Sequence, residues 1–429
     1  MIKRLTQRFY YGWIMLAVGF TVVTITYGAR FCFGTLFNSL LDEFGWTRAM
    51  VTSIFSVSLL CQAVFQPFAG AFLDKYGAKK MLCLGAVLIG ISFIIFGNAN
   101  SYLTILIAYG VLFSLAIIAM GLVVNTTMIS HWFSRKRGIA TAIIVVGTSL
   151  GIFIFNPLLA YLISNYGWRM SVNILGCTAG LLILTIVSLL AYDKPQDVGQ
   201  NIDGLPEQEI AAQKEVDSDN SDTRRKTKDF SFNEALKTRD FWFFVIIYIG
   251  DLFSWFSFAN HSIIAMTDSG VQPVTASTIF GYVGLLATIS GLFFSWLSDL
   301  LSERRIILSM GFLLTAIGIM VFARASSNLF YLYTAIIVIG LGNGAVALMS
   351  ATVADRFGTK AMGKIWGTIT TAGLLGGAVG PVITGYLYDT FGSYSLAWQT
   401  AAAAAFIAAS CVLLLDKKYF TRNYKKSFQ

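Results

Sequence analysis

The sequence predicts an all-α membrane protein: twelve transmembrane helices in two six-helix, pseudo-symmetric halves. Three observations predict it. Of 429 residues, 56% are hydrophobic and only 12% are charged, about half the charged share of a soluble domain. Apolar runs of spanning length follow one another along the whole chain. A charged turn, Gly70-Ala71-Phe72-Leu73-Asp74-Lys75-Tyr76-Gly77-Ala78-Lys79-Lys80, returns 225 residues later as Ser295-Trp296-Leu297-Ser298-Asp299-Leu300-Leu301-Ser302-Glu303-Arg304-Arg305. Asp74 matches Asp299, and Lys79-Lys80 match Arg304-Arg305.

The runs begin near Tyr11, Val51, Met81, Tyr102, Gly138, Trp168, Phe241, Val274, Ile306, Asn328, Lys364 and Ala397. At 1.5 Å per residue, a helix of about 20 residues crosses a hydrocarbon core of about 30 Å. Each copy of the charged turn joins two such runs. Copies that face the same side of a membrane must be separated by an even number of spans, and six plus six satisfies this. The same offset pairs Gly138 with Gly363, Gly151 with Gly376, Tyr161 with Tyr386 and Gly167 with Gly392. The first run is long, contains Arg30 and lacks a small-residue cleavage site, so it is expected to remain as the first span.

Topology follows from the basic residues. If both termini are cytoplasmic, all but four of the 31 Lys and Arg lie on cytoplasmic segments; the four are Arg30, Arg48, Arg169 and Arg324. So strong a bias fixes the expected orientation. It also accounts for the net charge of +9 as a topology signal that meets anionic lipid, with no nucleic-acid partner. The expected organisation is a six-helix half at 1–193, a flexible cytoplasmic linker at 194–229 and a second six-helix half at 230–429. The linker is rich in Asp, Glu, Ser, Lys and Arg, which cannot bury a core. Residues 230–240 read as a short amphipathic lead-in helix at the interface.

Five cysteines sit inside apolar runs without metal spacing, as packing residues do. No nucleophile–base pair, metal cluster or nucleotide loop is present. The chain is therefore expected to be no enzyme, with no cofactor and no metal; it is also expected to be monomeric.

Two ionisable residues lie inside spans, where charge costs a few kcal/mol and survivors face a cavity. Arg30 is about 17 residues beyond Trp13, roughly 25 Å along the first span. Its planar fork suits a carboxylate, or it pairs with Asp251 or reaches the headgroups. Asp251, near mid-depth of the seventh span, is a candidate proton carrier or ion-pair partner. Asn125 with Thr126 and Thr127 in the fourth span, Asn343 in the tenth, and Gln62 and Gln66 in the second offer hydrogen bonds to a small polar ligand or to neighbouring helices. Tyr27, Tyr282 and Phe258 are candidate aromatic walls or packing residues. His261 is expected near the outer surface, as an interfacial residue or a pH sensor, and His131 is structural.

The turn at Gly70–Lys80 resembles the signature loop of the major facilitator superfamily, G-x-L-x-D-[RK]-x-G-[RK]-[RK], with Phe72 for the usual Leu and Ala78 for a basic residue. Within that superfamily, several stretches resemble the monocarboxylate transporter and oxalate–formate antiporter group. They are Tyr11-Gly12-Trp13, Phe44-Gly45-Trp46-Thr47-Arg48, His131-Trp132-Phe133-Ser134-Arg135-Lys136-Arg137-Gly138, Tyr166-Gly167-Trp168-Arg169 and Glu234-Ala235-Leu236-Lys237-Thr238-Arg239. The resemblance implies a cavity lined by spans 1, 4, 7 and 10. It implies that Gly70, Asp74, Lys79, Lys80, Asp299, Arg304 and Arg305 latch the halves in the outward-facing state. It also implies a basic residue near Arg30 after a Tyr. The chain departs from the group in carrying no charge within residues 276–295 of the eighth span. Its only basic residue near the eleventh is Lys364, at the cytoplasmic start.

The expected function is secondary active transport of a small organic anion, a monocarboxylate first among them, with proton symport or anion exchange. Arg30, Tyr27, Asn125, Asn343 and Tyr282 would contact substrate, and Asp251 would couple protons or pair. Efflux of an amphipathic or cationic compound is the alternative, and a transporter-like membrane sensor a remote one.

Overall fold

A computed structural model describes residues 10–204, 229–300, 303–358 and 360–416, without the side chains of Pro67 and Asp299. Among these residues, eleven helices are long and apolar enough to cross a membrane. One of them, Arg137–Leu190, has 54 residues and a non-helical break at Gly167 (φ 72°, ψ 162°). It therefore holds two crossings, and the expected twelve are present. In chain order they are α1 (Gly12–Phe44), α2 (Arg48–Tyr76), α3 (Ala78–Gly97), α4 (Tyr102–Trp132), α5 (137–166), α6 (168–190), α7 (Arg239–Asp268), α8 (Pro273–Leu300), α9 (Arg304–Phe322), α10 (Leu329–Phe357), α11 (Met362–Phe391) and α12 (Ser395–Leu413). The helix ends that carry the Lys- and Arg-rich turns are called proximal, the opposite ends distal.

Local chemistry sets the helix boundaries. Gly45 (φ 63°) ends α1 and donates its N–H to the Leu41 carbonyl at 2.9 Å. Gly392 (φ 64°) ends α11 in the same way through Tyr388. Such left-handed caps favour glycine. At 231–238 two capped helices follow one another. Ser231 and Glu234 form a capping box on the short helix Phe232–Leu236, and the Thr238 hydroxyl accepts the Phe241 N–H at 3.3 Å to start α7.

The chain forms two compact units. The first holds described residues 10–30, 65–151 and 169–204. Here α1 and α5 meet backbone to backbone: a Cβ on Gly151 would lie 2.2 Å from the Thr24 carbonyl oxygen. Residues 194–204 fold back on this unit. Gln200 accepts the Tyr11 N–H at 2.9 Å, and Asp203 accepts the Ser134 and Arg135 N–H groups at 3.0 and 2.9 Å. The remainder of the polar segment, 205–228, lies outside the described residues.

The second unit holds the distal portions of α1, α2 and α5 (31–64 and 152–168) together with the described residues from 229 onward. A close seam joins α7 and α11, where a Cβ on Gly376 would lie 2.5 Å from the Ile249 carbonyl oxygen. Gly376 and Ile249 stand 225 positions after Gly151 and Thr24. The duplication therefore survives as one helix–helix contact made twice, once in each unit.

Gly151→Ala and Gly376→Ala are each expected to cost about 1–3 kcal/mol, because the added methyl meets backbone that cannot rotate away. Gly363→Ala, whose Cβ would meet nothing within 4 Å, is the control. Thermal melting of the purified variants checks this: equal melting temperatures for all three would mean that the seams tolerate a methyl.

Two crossings are broken. α4 contains a π-helical stretch, Leu106–Phe113, and an extended residue, Gly121 (φ −72°, ψ −177°), before it resumes as Leu122–Trp132. α10 tightens into a 3₁₀ segment, Gly344–Leu348, between Leu329–Asn343 and Met349–Phe357. Irregular backbone at membrane depth is tolerated where protein or a cavity surrounds it.

Candidate functional site

In the first unit the site is assembled around Arg30. Arg30 ends the first segment of α1 (Gly12–Phe31), where the helix dipole favours a cation. It is only 7% exposed. Its guanidinium carbon lies 5.9 Å from the centre of the Tyr27 ring. Its carbonyl accepts the Tyr109 hydroxyl at 2.9 Å. The Tyr27 hydroxyl lies beside the break in α4, 3.9 Å from where a Cβ on Gly121 would stand. Tyr27 thus stands between the arginine and the N-terminus of the half-helix Leu122–Trp132, a positive dipole end.

Asn125 has a definite structural task. Its Nδ2 donates to the carbonyls of Met120 (2.7 Å) and Gly121 (3.0 Å), the two residues at the break, and Gly121 also accepts the Asn125 N–H at 3.2 Å. Its Oδ1 is buried and accepts no hydrogen bond, so it remains available to a donor. The sequence offered Asn125 as a ligand contact and gave no sign of the break that it covers.

The second unit holds Asp251, Asn343 and Tyr282. Asp251 is 5% exposed and makes no ion pair among the described residues. Ser254, one turn on and on the same face, keeps a buried Oγ with no partner. Asn343 ends the first segment of α10 at its break, and its Nδ2 is likewise buried and unpaired. Tyr282 is exposed and packs on Phe153 (5.4 Å between ring centres) and Tyr333 (6.3 Å). Arg30 and Asp251 fall in different units.

The turn residues are tied within their own units. Asp193 accepts the Lys79 N–H at 2.9 Å, at the N-terminus of α3. Lys79 Nζ donates to the Ser188 carbonyl at 3.0 Å and lies over the Tyr192 ring. Gly77 (φ 82°) has no room for a side chain, since a Cβ would lie 2.6 Å from Asp193. Gly70 has open space beside it, and Asp74 and Lys80 are exposed. Arg304 pairs with Asp355 at 2.6 Å, and Arg305 donates to the Leu413 and Leu415 carbonyls at 3.1 and 2.8 Å. The Asp299 side chain lies outside the described residues. Beside them Arg356 pairs with Asp240; the side chains are 8% and 4% exposed, and the guanidinium lies 4.9 Å from Phe230 and 5.1 Å from Phe357.

Sequence reasoning missed a distal cluster. Arg48, counted as a loop charge, is buried and bonded to Asp268 at 2.6 Å and to Tyr394. His261, expected at the interface, is fully buried beside Tyr394. Tyr394 lies in the turn between α11 and α12, and its burial pushes its phenol pKa up. The usable signal was an Arg, an Asp and a His close to helix ends on the side with few charges.

Known proteins can now be set beside this geometry. The family model described as Major Facilitator Superfamily matches residues 19–262 and 244–428. The chain is 24% identical over 409 residues to the oxalate:formate antiporter of Oxalobacter formigenes, covering 92% of this chain and 89% of that one. It is 23% identical over 418 residues to monocarboxylate transporter 13 of Bos taurus, covering 96% and 90%. It is also 23% identical over 426 residues to the uncharacterized MFS-type transporter YcxA of Bacillus subtilis (strain 168), covering 95% and 96%. Among solved structures, a bacterial homolog of the human lysosomal transporter Spinster, inward-facing and occupied, superposes with a TM-score of 0.71 at 14% identity, covering 94% of this chain and 96% of that one. That likeness concerns the fold alone.

Proposed function

Since the chain belongs to the major facilitator superfamily, we propose that it is a secondary transporter of a small organic carboxylate, working by alternating access with proton symport or anion exchange. The observation that carries this reading is Arg30: a guanidinium at membrane depth, more than nine-tenths buried, with Tyr27 between it and the positive end of a half-helix. A bidentate cation and a helix N-terminus together are a seat for a carboxylate. The names of two relatives, an oxalate:formate antiporter and a monocarboxylate transporter, point the same way. The buried Asn125 Oδ1 suits a hydroxyl or a protonated carboxyl on the same ligand.

In this reading the chain is two six-helix halves joined by the 194–229 segment, with both termini cytoplasmic and the proximal end inside. Asp74 and Lys80, exposed here, are the turn residues left to bind the other half in the opposite state. Asp251 serves proton coupling.

The test is uptake into proteoliposomes of labelled mono- and dicarboxylates, with and without a pH gradient. Saturable uptake of a carboxylate, competed by other carboxylates, is expected. Competition by lipophilic cations alone would support a second reading, export of an amphipathic or cationic compound. That reading has one observation behind it: Asp251, buried at mid-span and without an ion-pair partner among the described residues, is a seat for a cation.

A further inference from the structure

We propose that His261 is a proton-binding site, and that the hydrogen-bond chain from Arg48 through Tyr394 to His261 makes closure of the distal end sensitive to acid. The proposal rests on the transporter reading but not on any particular substrate. Every residue in it belongs to the second unit.

The protons in the chain are assigned by elimination. Arg48 Nη1 can only donate, so the Tyr394 oxygen accepts from it. The Tyr394 hydroxyl keeps its own proton to give to His261 Nδ1, 3.1 Å away. On the other side of the ring, Nε2 lies 2.9 Å from the Pro381 carbonyl oxygen, which can only accept. Nε2 therefore carries a proton; full burial beside the Arg48 cation disfavours a charged ring, so in the neutral imidazole Nδ1 accepts from Tyr394 and both ring nitrogens are satisfied.

A second proton has no place in this arrangement. It would sit on Nδ1 and point at an oxygen that already directs its own hydrogen there. Tyr394 would have to turn its hydroxyl away and so weaken its hold on Arg48. The imidazolium would also stand next to the Arg48 cation.

The surroundings offer little relief. Asp268 of α7 is bonded to Arg48 Nη2. Asp389 of α11 accepts the Arg48 and Ala49 N–H groups at 3.0 and 2.9 Å, capping α2. Tyr388 of α11 lies flat against the Arg48 guanidinium, 3.5 Å from it. α1 presents the Phe37 ring at 5.2 Å; its Glu43 binds the Trp168 indole, and Asp42 is exposed. α12 presents Trp398, stacked on Tyr394 at 5.3 Å.

What the cluster holds is the seam between sequence-distant helices. Arg48 is the first residue of α2, whereas Asp268, Asp389 and Tyr394 come from α7, α11 and the turn after it. The same seam is closed by Asn38 donating to Thr267 at 2.7 Å, by Ser56 donating to the Ala378 carbonyl, and by Gly385, whose Cβ would lie 2.7 Å from the Ala49 nitrogen. Protons can reach it. A cavity of about 290 Å³ is lined by Asp268, Arg324, Tyr388, Tyr394 and Trp398. Protonation of His261 therefore favours the state in which this seam is parted, and proton release favours the closed state described here.

The sign and size follow from linkage. If the parted state gives His261 an ordinary pKa of about 6.5 and the closed state takes no proton, the ratio of parted to closed rises roughly tenfold between pH 8 and pH 5.5. The experiment uses the full chain with its five cysteines replaced and spin labels at Tyr166 and Leu329, both exposed at distal helix ends. Distances are measured in nanodiscs at the two pH values.

The long-distance population is expected to grow at pH 5.5 in this protein. His261→Gln, which can still accept from Tyr394 and donate to Pro381, is expected to stay closed at both. Arg48→Gln is expected to be parted at both. A distance distribution that does not change with pH in the His261 protein overturns the proposal, as does an equal pH response in His261→Gln. The readout needs no substrate. Failure to transport any carboxylate would count against the proposed function and leave this result standing.

Discussion

Arg30→Gln will lower carboxylate uptake by about two orders of magnitude while leaving thermal stability nearly unchanged. Truncating one partner of a buried charge-assisted pair costs about 2–5 kcal/mol, and 2.7 kcal/mol corresponds to about a hundredfold in affinity. Gln keeps a hydrogen-bonding group on a shorter side chain and removes the charge, so the loss measures the guanidinium's hold on the ligand. Arg30→Lys separates the two parts of the claim. It keeps the charge and loses the planar fork, so transport persists with weakened discrimination among carboxylates of different shape. Initial rates of counterflow for the two variants, set beside their melting temperatures, decide the matter. Wild-type uptake by Arg30→Gln would remove Arg30 from the substrate site.

Arg356→Leu will destabilise the second unit by about 3–5 kcal/mol, because it leaves the Asp240 carboxylate buried and unpaired. Asp240 is 3% exposed and sits in the first turn of α7, between the lead-in helix and the end of α10. The double change Arg356→Leu, Asp240→Leu is expected to recover most of the loss, since a pair replaced by apolar side chains of similar size is often close to neutral. Thermal unfolding in one detergent gives the comparison. A single variant that melts with the parent protein would show that water reaches Asp240 and that the pair is not a closed one.

The parts of this protein that were legible in its sequence are those that one element carries alone. An apolar run is a span whatever it packs against, so the twelve crossings could be read from composition. Arg30 and Asp251 stood out because lipid makes any charge conspicuous. The parts that stayed hidden are relations between elements. Arg48 looked like a loop charge because its partners, Asp268 and Tyr394, are 220 and 346 positions away. His261 looked interfacial because its depth along α7 is near the end, whereas its burial comes from Phe37, Pro381 and Tyr394 on other elements. Asn125 looked like a ligand contact because nothing in Met120-Gly121-Leu122 announces that the helix stops there. Gly151 and Gly376 were visible as a repeat, but the contact that they repeat needed the partner carbonyls of Thr24 and Ile249.

The doubled glycine seam bears on the mechanics of transport. Where α5 lies on α1, and α11 on α7, backbone touches backbone, and such a joint can neither slide nor twist without steric cost. Each helix pair is a stiff beam. Compliance has to be sought elsewhere, and α4 and α10 supply it, since their π, extended and 3₁₀ stretches interrupt the regular ladder that makes a helix rigid. Deformation during a transport cycle would then concentrate in those two helices, one in each sequence half, and both carry an asparagine at the soft point.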